Sequence, residues 1–234
     1  MPCEPTLLTK PPFCAGCPLA TTGRGFVPDK IVANEQYRII GEAPGKQEID
    51  VGEPFVGQAG FVLKQWGVRA VPELQLAMER KQVSFANTLR CLPPDNHGRP
   101  YPSGDDRRAA EAHCRQYDTP ITAPTVILAG ESSQRYYFKR ELDAEDVLDR
   151  QGGRDVKGVG GRIGRTYHTN TVTKVDEENG IIDVSSQRWV FAPHPAWILR
   201  QPSLVEHLQQ SLRIAVNNEK PVQVEMVYWD TVIT

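Results

Sequence analysis

A layered α/β fold, a three-layer α/β/α sandwich around a four-stranded parallel sheet, follows from three features of this 234-residue chain. Short runs rich in apolar and β-branched residues alternate with longer stretches of helical character. Three of the four strand-like runs lead directly into the chain's unusual motifs, at Gly41, Asn87 and Ala192. A Gly-rich basic segment followed by an Asn-Gly turn interrupts the last alternation and adds an inserted β-hairpin.

The elements follow in chain order. Residues 1–30 carry many Pro, Gly and Thr and read as an irregular arm. Tyr37 to Gly41 is a buried strand ending at a Gly-rich turn. Phe61, Val62, Leu63 and Trp66 mark a helix, with small Ala59 and Gly60 near its start. Val83 to Asn87 is the second strand. Asp105 to Tyr117 is charged and Ala-rich, hence helical, and Ser103 is placed to cap it. Thr125 to Gly130 is the third strand and Arg188 to Ala192 the fourth. Leu204 to Val216 has apolar positions at helical spacing. Between the third and fourth strands, Arg150 to Arg165 is too Gly-rich for a helix and strongly basic. Thr166 to Val175 and Ile181 to Ser186 then flank Asp176 to Gly180 as two hairpin arms. The reading is one domain over 1–234, with a divergent basic loop and hairpin inserted at 150–186.

Composition narrows the function. A formal net charge of -2 provides no global field for a polyanion. Any contact with nucleic acid therefore needs a local basic face. No apolar run approaches a membrane span, and no signal-peptide core follows Met1. The expectation is a soluble cytoplasmic monomer with no membrane partner. In a reducing compartment, five cysteines point to metal rather than disulfides. Cys14 and Cys17 stand three positions apart and Cys91 and Cys114 lie far downstream, while Cys3 reads as a tail thiol. Thiolates suit zinc and iron–sulfur clusters alike, and spacing does not choose between them.

Three strings carry a resemblance: Phe13-Cys14-Ala15-Gly16-Cys17-Pro18; Gly41-Glu42-Ala43-Pro44-Gly45 continuing through Gly52-Glu53-Pro54-Phe55-Val56-Gly57 to Gly60; and Ala192-Pro193-His194-Pro195-Ala196. In this order, with Cys91 and Cys114, the chain resembles the family-4 uracil-DNA glycosylases. The resemblance is good from Cys14 to Cys114 and again from Phe191 to Pro202. It is poor from Glu131 to Trp189 and absent at the end of the chain. It implies a structural [4Fe–4S] cluster on Cys14, Cys17, Cys91 and Cys114. The gap between the last two is longer than usual for the family.

It also implies a monofunctional DNA glycosylase that flips a pyrimidine out of single- or double-stranded DNA and hydrolyses its N-glycosidic bond. Phe55 resembles the residue that stacks on the flipped base; a core role is the alternative. Asn87 resembles the base-reading amide, which suits a pyrimidine without choosing between uracil and cytosine; a plain turn residue is the alternative. His194 resembles the donor that faces the base carbonyl oxygen beside the scissile bond; a structural histidine is the alternative. In other uracil-DNA glycosylases an Asp of the Gly41–Gly45 turn orients the attacking water. That position is Ala43 here, leaving the water to the backbone or to Glu42. Gly41 lets the backbone approach the ligand. Glu48 resembles the residue beside C5 of the base, and both Glu42 and Glu48 read equally as solvated side chains. Trp197-Ile198-Leu199 resembles an apolar wedge, with Arg200 beside it, or equally the first turn of a buried helix. Arg154, Lys157, Arg162 and Arg165 in the basic loop would track phosphates, or simply remain solvated.

Uracil is the leading substrate. The alternative is a hypermodified pyrimidine, such as a modified cytosine, in phage DNA, which would make the protein antiviral rather than a repair enzyme. A non-catalytic or covalently trapping DNA-binding protein is disfavoured. Trapping relatives carry Lys-Arg-Arg-Ile-His where this chain has Asn96-His97-Gly98-Arg99.

Overall fold

The computed structural model describes residues 9–94, 104–138, 166–176 and 181–217. A five-stranded sheet runs in the order β2-β1-β3-β5-β4, with β1 Tyr37–Gly41, β2 Val83–Asn87, β3 Thr125–Ala129, β4 Thr166–Asp176 and β5 Ile181–Ala192. The first four strands in that order pair in parallel, and β4 joins the edge antiparallel to β5.

The register places Ile39, Phe85, Ile127 and Val190 in one row and Ile40, Ala86, Leu128 and Phe191 in the next. Successive side chains point to opposite faces. The first row therefore packs with Val62, Leu63, Leu74, Leu208 and Leu212 in one core. The second packs with Tyr137 and Phe138 in the other. Strands buried on both faces favour near-continuous apolar runs; Val126 to Ala129 supplies one, and Val83 to Asn87 is apolar apart from the buried Ser84 and Asn87.

The helices are α1 Lys46–Val51, α2 Gln58–Phe61, α3 Pro72–Glu79, α4 Gly104–Arg115, α5 at residues 131–138, α6 Pro195–Ile198 and α7 Val205–Asn217. After α2 the chain continues through a π-helical turn at Val62–Gly67. The sequence reading missed α1 and α3, although α3 starts with Pro72 at its first position, a common helix opening. Ser103 lies outside the described residues, and so does the turn between β4 and β5. The second hairpin arm and the fourth strand, expected as separate pieces, form one strand, because no Gly or Pro interrupts residues 181–192. The hairpin is thus an extension of the sheet itself. Among the described residues no helix is long and apolar enough to cross a membrane.

The amino ends of the strands are fastened by a buried pair. Arg38 Nη2 lies 2.5 Å from Glu35 Oε1, and the same oxygen accepts from Thr122 N–H and Ala123 N–H at 2.8 and 2.9 Å. Burial works against the Glu35 charge, but hydrogen bonds from Arg38, Ser84 and Thr122 outweigh it and hold the carboxyl at about 2. Arg38 also donates to the Thr119 and Pro120 carbonyls. The opposite, carboxyl ends are left open for a site.

Candidate active site

At those carboxyl ends the register sets Gly41 beside Asn87 and Ala129 beside Ala192. After β3 the chain turns at Gly130, whose φ is +93° and whose N–H donates to the Ala192 carbonyl at 2.9 Å. A side-chain carbon added there would stand 2.8 Å from His194 Cβ and 3.0 Å from its Cδ2. Glycine is required on both counts. His194 caps α6: its Nδ1 accepts from the Ala196 N–H at 3.1 Å. That bond leaves the proton of the neutral ring on Nε2, which can donate. Burial pushes the imidazole pKa below its ordinary value, and the nearby Glu42 charge works in the other direction.

Phe55 has a left-handed backbone, φ +56°, unusual for a bulky residue. Two features hold it there. Lys64 Nζ donates to the Phe55 carbonyl at 2.8 Å. Gly60 lets the next helix pass so close that a carbon on it would lie 1.9 Å from that same oxygen. The ring is buried, 5.5 Å from the Phe85 ring. The two sequence readings of Phe55 therefore combine: it belongs to the core and also lines the cavity. A carbon on Gly41 would meet Asn87 Oδ1 at 2.6 Å and Phe55 Cζ at 2.8 Å. Gly41 makes room for those two side chains and is not on the cavity wall. Glu48 accepts the Gly45 N–H at 3.0 Å and the Gly57 N–H at 2.8 Å. Its carboxylate pins the two glycine turns that carry Ala43 and Phe55.

The result is a cavity of about 610 Å³ whose wall brings together Ala43, Glu48, Phe55, Asn87, His194 and Arg200. Gln47, Gln58, Leu92 and Leu199 also face it. Leu199 belongs to the apolar tip and Gln58 to the second Gly-rich string, whereas Gln47 and Leu92 did not stand out, since each resembles an ordinary surface or helix residue. The apolar tip needs correction. Ile198 is fully buried in the core, so it cannot contact DNA as expected, whereas Trp197 and Leu199 are 46% and 44% exposed. The short α6 turn sends Ile198 inward, and Trp197, though exposed, is not on the cavity wall. Arg154, Lys157, Arg162 and Arg165 lie outside the described residues.

Glu42 stands behind the wall rather than on it. Its Oε1 accepts from Arg107 Nη2 at 2.8 Å and from Ser132 Oγ at 2.5 Å. Its backbone carbonyl accepts from Thr88 Oγ1 and from the Leu89 N–H, both at 2.9 Å.

Beyond this site, the thiols of Cys14, Cys17, Cys91 and Cys114 line one small cavity, reached by Lys10, Arg90 and His113. Among the described residues no group of three or more His, Cys, Asp or Glu is placed to hold a single metal ion. The donor chemistry of four sulfurs on one wall nevertheless suits a thiolate-bound metal group. Gly23 forms a cradle, since a carbon there would stand 2.7 Å from Cys91 Sγ. Lys10 Nζ, on the Leu19 and Ala20 carbonyls at 2.5 and 2.7 Å, supplies a cation at the cavity wall. Arg90, paired with Asp29 and Asp118, supplies another. Burial raises the Cys14, Cys91 and Cys114 pKa values, Cys91 to about 12, and the neighbouring thiols raise them further. Buried sulfurs such as those of Cys14, Cys91 and Cys114 ionise together only around a compact positive group. Cys3 lies outside the described residues.

Residues 28–219 match the model of the uracil DNA glycosylase superfamily. The chain is similar to a type-4 uracil-DNA glycosylase of Sulfurisphaera tokodaii, 28% identical over 204 residues, 86% of this chain and 77% of that protein. It is 27% identical to the type-4 uracil-DNA glycosylase of Pyrobaculum aerophilum over 199 residues, 85% and 86% of the two chains. That of Archaeoglobus fulgidus is 39% identical over 127 residues, 53% and 58% of the two chains.

Proposed function

The chain belongs to the uracil DNA glycosylase superfamily and is a DNA glycosylase, and we propose that it flips a pyrimidine, first of all uracil, out of DNA and hydrolyses its N-glycosidic bond. The observation that carries this reading is the convergence of Phe55, Asn87 and His194, from three separate segments, on one cavity beyond the strand ends.

The chemistry follows from what each group offers. The Phe55 ring gives a flat apolar surface, and stacking on an aromatic side chain is worth about 1–3 kcal/mol per base. The Asn87 amide pairs with the pyrimidine edge through one donor and one acceptor. When the bond from the base nitrogen to C1′ breaks, its electron pair leaves with the base and positive character grows on the sugar. The charge spreads onto the base carbonyl oxygen beside the broken bond, where His194 Nε2–H donates. Such a donor acts mainly on charge that appears in the transition state. Water adds to C1′ and gives its proton to solvent, leaving an abasic site. Ala43 has no group to take that proton, and the Glu48 carboxylate on the wall is engaged by the Gly45 and Gly57 N–H groups.

Cys14, Cys17, Cys91 and Cys114 would hold a [4Fe–4S] cluster. Heterolytic cleavage needs no electron, so its contribution is to fasten the N-terminal arm and α4 to the sheet. A second reading, removal of a hypermodified pyrimidine in antiviral defence, draws support from the cavity. At about 610 Å³ it lies within the range of about 300–1,000 Å³ that accommodates drug-sized ligands, which leaves room for a base substituent. A parallel assay tests both. Wild-type protein is given uracil-containing DNA and DNA from phages with modified cytosines, and released base is identified by mass spectrometry. Free uracil supports the first reading. Release of modified cytosine with uracil untouched replaces it with the second. Release of neither from any DNA refutes both.

A further inference from the structure

The Glu42 charge acts on His194, and its carboxylate is held from behind by two side chains, Arg107 and Ser132, that belong to none of the motif strings. Arg107 lies on α4, where its Nε also binds Glu111 Oε1 at 2.8 Å, one turn along. Ser132 lies in α5, two residues after the Gly130 turn that makes room for the His194 ring. The two hold a single carboxylate oxygen from two different helices, while Thr88 and Leu89 hold the Glu42 backbone. The Glu42 side chain is 18% and that of Arg107 25% exposed, so the contact is only partly screened by water. Arg107 and Cys114 are seven residues apart, nearly two full turns, and so share one side of α4. The helix thus spans from the catalytic region to the thiol cavity.

We propose that Arg107 and Ser132 are positioning residues for the glycosidic step. They fix the Glu42 carboxylate beside His194 and partly neutralise it, which keeps the imidazole in the neutral form that accepts from Ala196 and donates from Nε2. This rests on the reading of His194 as the donor to the departing base. Were the Glu42 charge left uncompensated, it would favour the imidazolium. Nδ1 would then carry a proton facing the Ala196 N–H, and the bond that orients the ring would be lost. Other charges surround the pair. Lys46, Glu48 and Arg200 share the cavity wall with His194. The Glu48 carboxylate is engaged by Gly45 and Gly57. On α5, Glu131 and Arg135 bind each other at 2.8 Å. On α4, Arg108 is a further cation and Glu111 offsets Arg107.

The test is an NMR titration of the His194 ring, identified by its loss in His194→Gln, in the full-length protein. It is run on wild type, Arg107→Gln, Arg107→Lys, Ser132→Ala, Glu42→Gln and the double variant Arg107→Gln/Glu42→Gln. The His194 midpoint is expected to rise in Arg107→Gln and, less, in Ser132→Ala. It falls in Glu42→Gln, and Arg107→Lys restores much of the wild-type value. In the Glu42→Gln background, Arg107→Gln should hardly move it. An unmoved midpoint in Arg107→Gln, or the same shift with and without Glu42, overturns the proposal. The acid limb of single-turnover base release should move with the midpoint; a fixed limb despite a moved midpoint also overturns it. Because the titration reads the ring directly, it stands even if wild-type protein releases no base, an outcome that defeats the glycosylase reading separately.

Discussion

Gly130→Ala should slow base release severely while leaving the fold in place. The structure sets the size of the effect. The new carbon would lie 2.8 Å from His194 Cβ, whereas ordinary contact begins at 3.4 Å. The Gly130 backbone is continuous with β3 and tied to Ala192, so it has little freedom to retreat, and the histidine moves instead. It must withdraw by roughly 0.6 Å, and a misplacement of about 1 Å can reduce a rate on the order of 10²-fold. The φ of +93° adds backbone strain of about 1–3 kcal/mol, which lowers the melting temperature without unfolding a domain of this size. The assay is single-turnover release from a single-stranded oligonucleotide carrying one uracil, read as alkali-labile strand breaks, alongside a thermal melt. Gly52→Ala, at φ +80° after α1 and away from β3, controls for strain alone. Wild-type release by a folded Gly130→Ala protein, or equal losses in the two variants, would refute the placement of His194 by Gly130.

Three further outcomes follow. Asn87→Asp, which replaces the amide with an acceptor-only carboxylate, should impair release of uracil and favour a cytosine-like edge, while Phe55→Ala weakens every flipped base similarly; release measured on matched single-stranded substrates checks this, and equal losses for all bases in both variants would remove the reading role of Asn87. The Glu35 carboxyl, near 4.5 when unfolded and held at about 2 when folded, contributes stability that is present above about pH 4.5 and lost as pH falls toward 2; Glu35→Gln should flatten that acid-side decline in urea midpoints, and an unchanged slope would count against it. Protein prepared without oxygen should be brown, with iron and sulfide bound, and Cys114→Ser should lose the colour and the protection of residues 9–24 against proteolysis; stoichiometric zinc without iron would contradict this.

The strands were legible because each core run is mostly apolar, as burial on both faces demands, and the expected bounds of Val83 to Asn87 match the observed strand. Phe55 and His194 were legible because they stand in unusual strings that follow a Gly-Pro-rich turn and a strand, while Asn87, an ordinary end of β2, was legible only through the family resemblance. Their arrangement was less so. Ile198 and Trp197 are neighbours in sequence but face opposite ways, a matter decided by the α6 turn packing against α2. Gly41 and Gly130 were visible as strand ends, yet their function is to leave space for Asn87, Phe55 and His194, which only the folded geometry discloses. Arg107 looked like one of several solvated charges on a helix. Its contact with Glu42 joins residues 65 positions apart and leaves no local pattern.

The central claim is that His194, on the wall shared with Phe55 and Asn87, stabilises a departing base. Single-turnover release from uracil-containing and modified-cytosine oligonucleotides, comparing wild type with His194→Ala at equal DNA occupancy, tests it most directly. The account predicts free base and an abasic site from at least one of the two substrates with wild-type protein, and a loss on the order of 10²–10³-fold in the variant with binding preserved. Release at the wild-type rate by His194→Ala, or no release of either base by the wild-type protein, would contradict it.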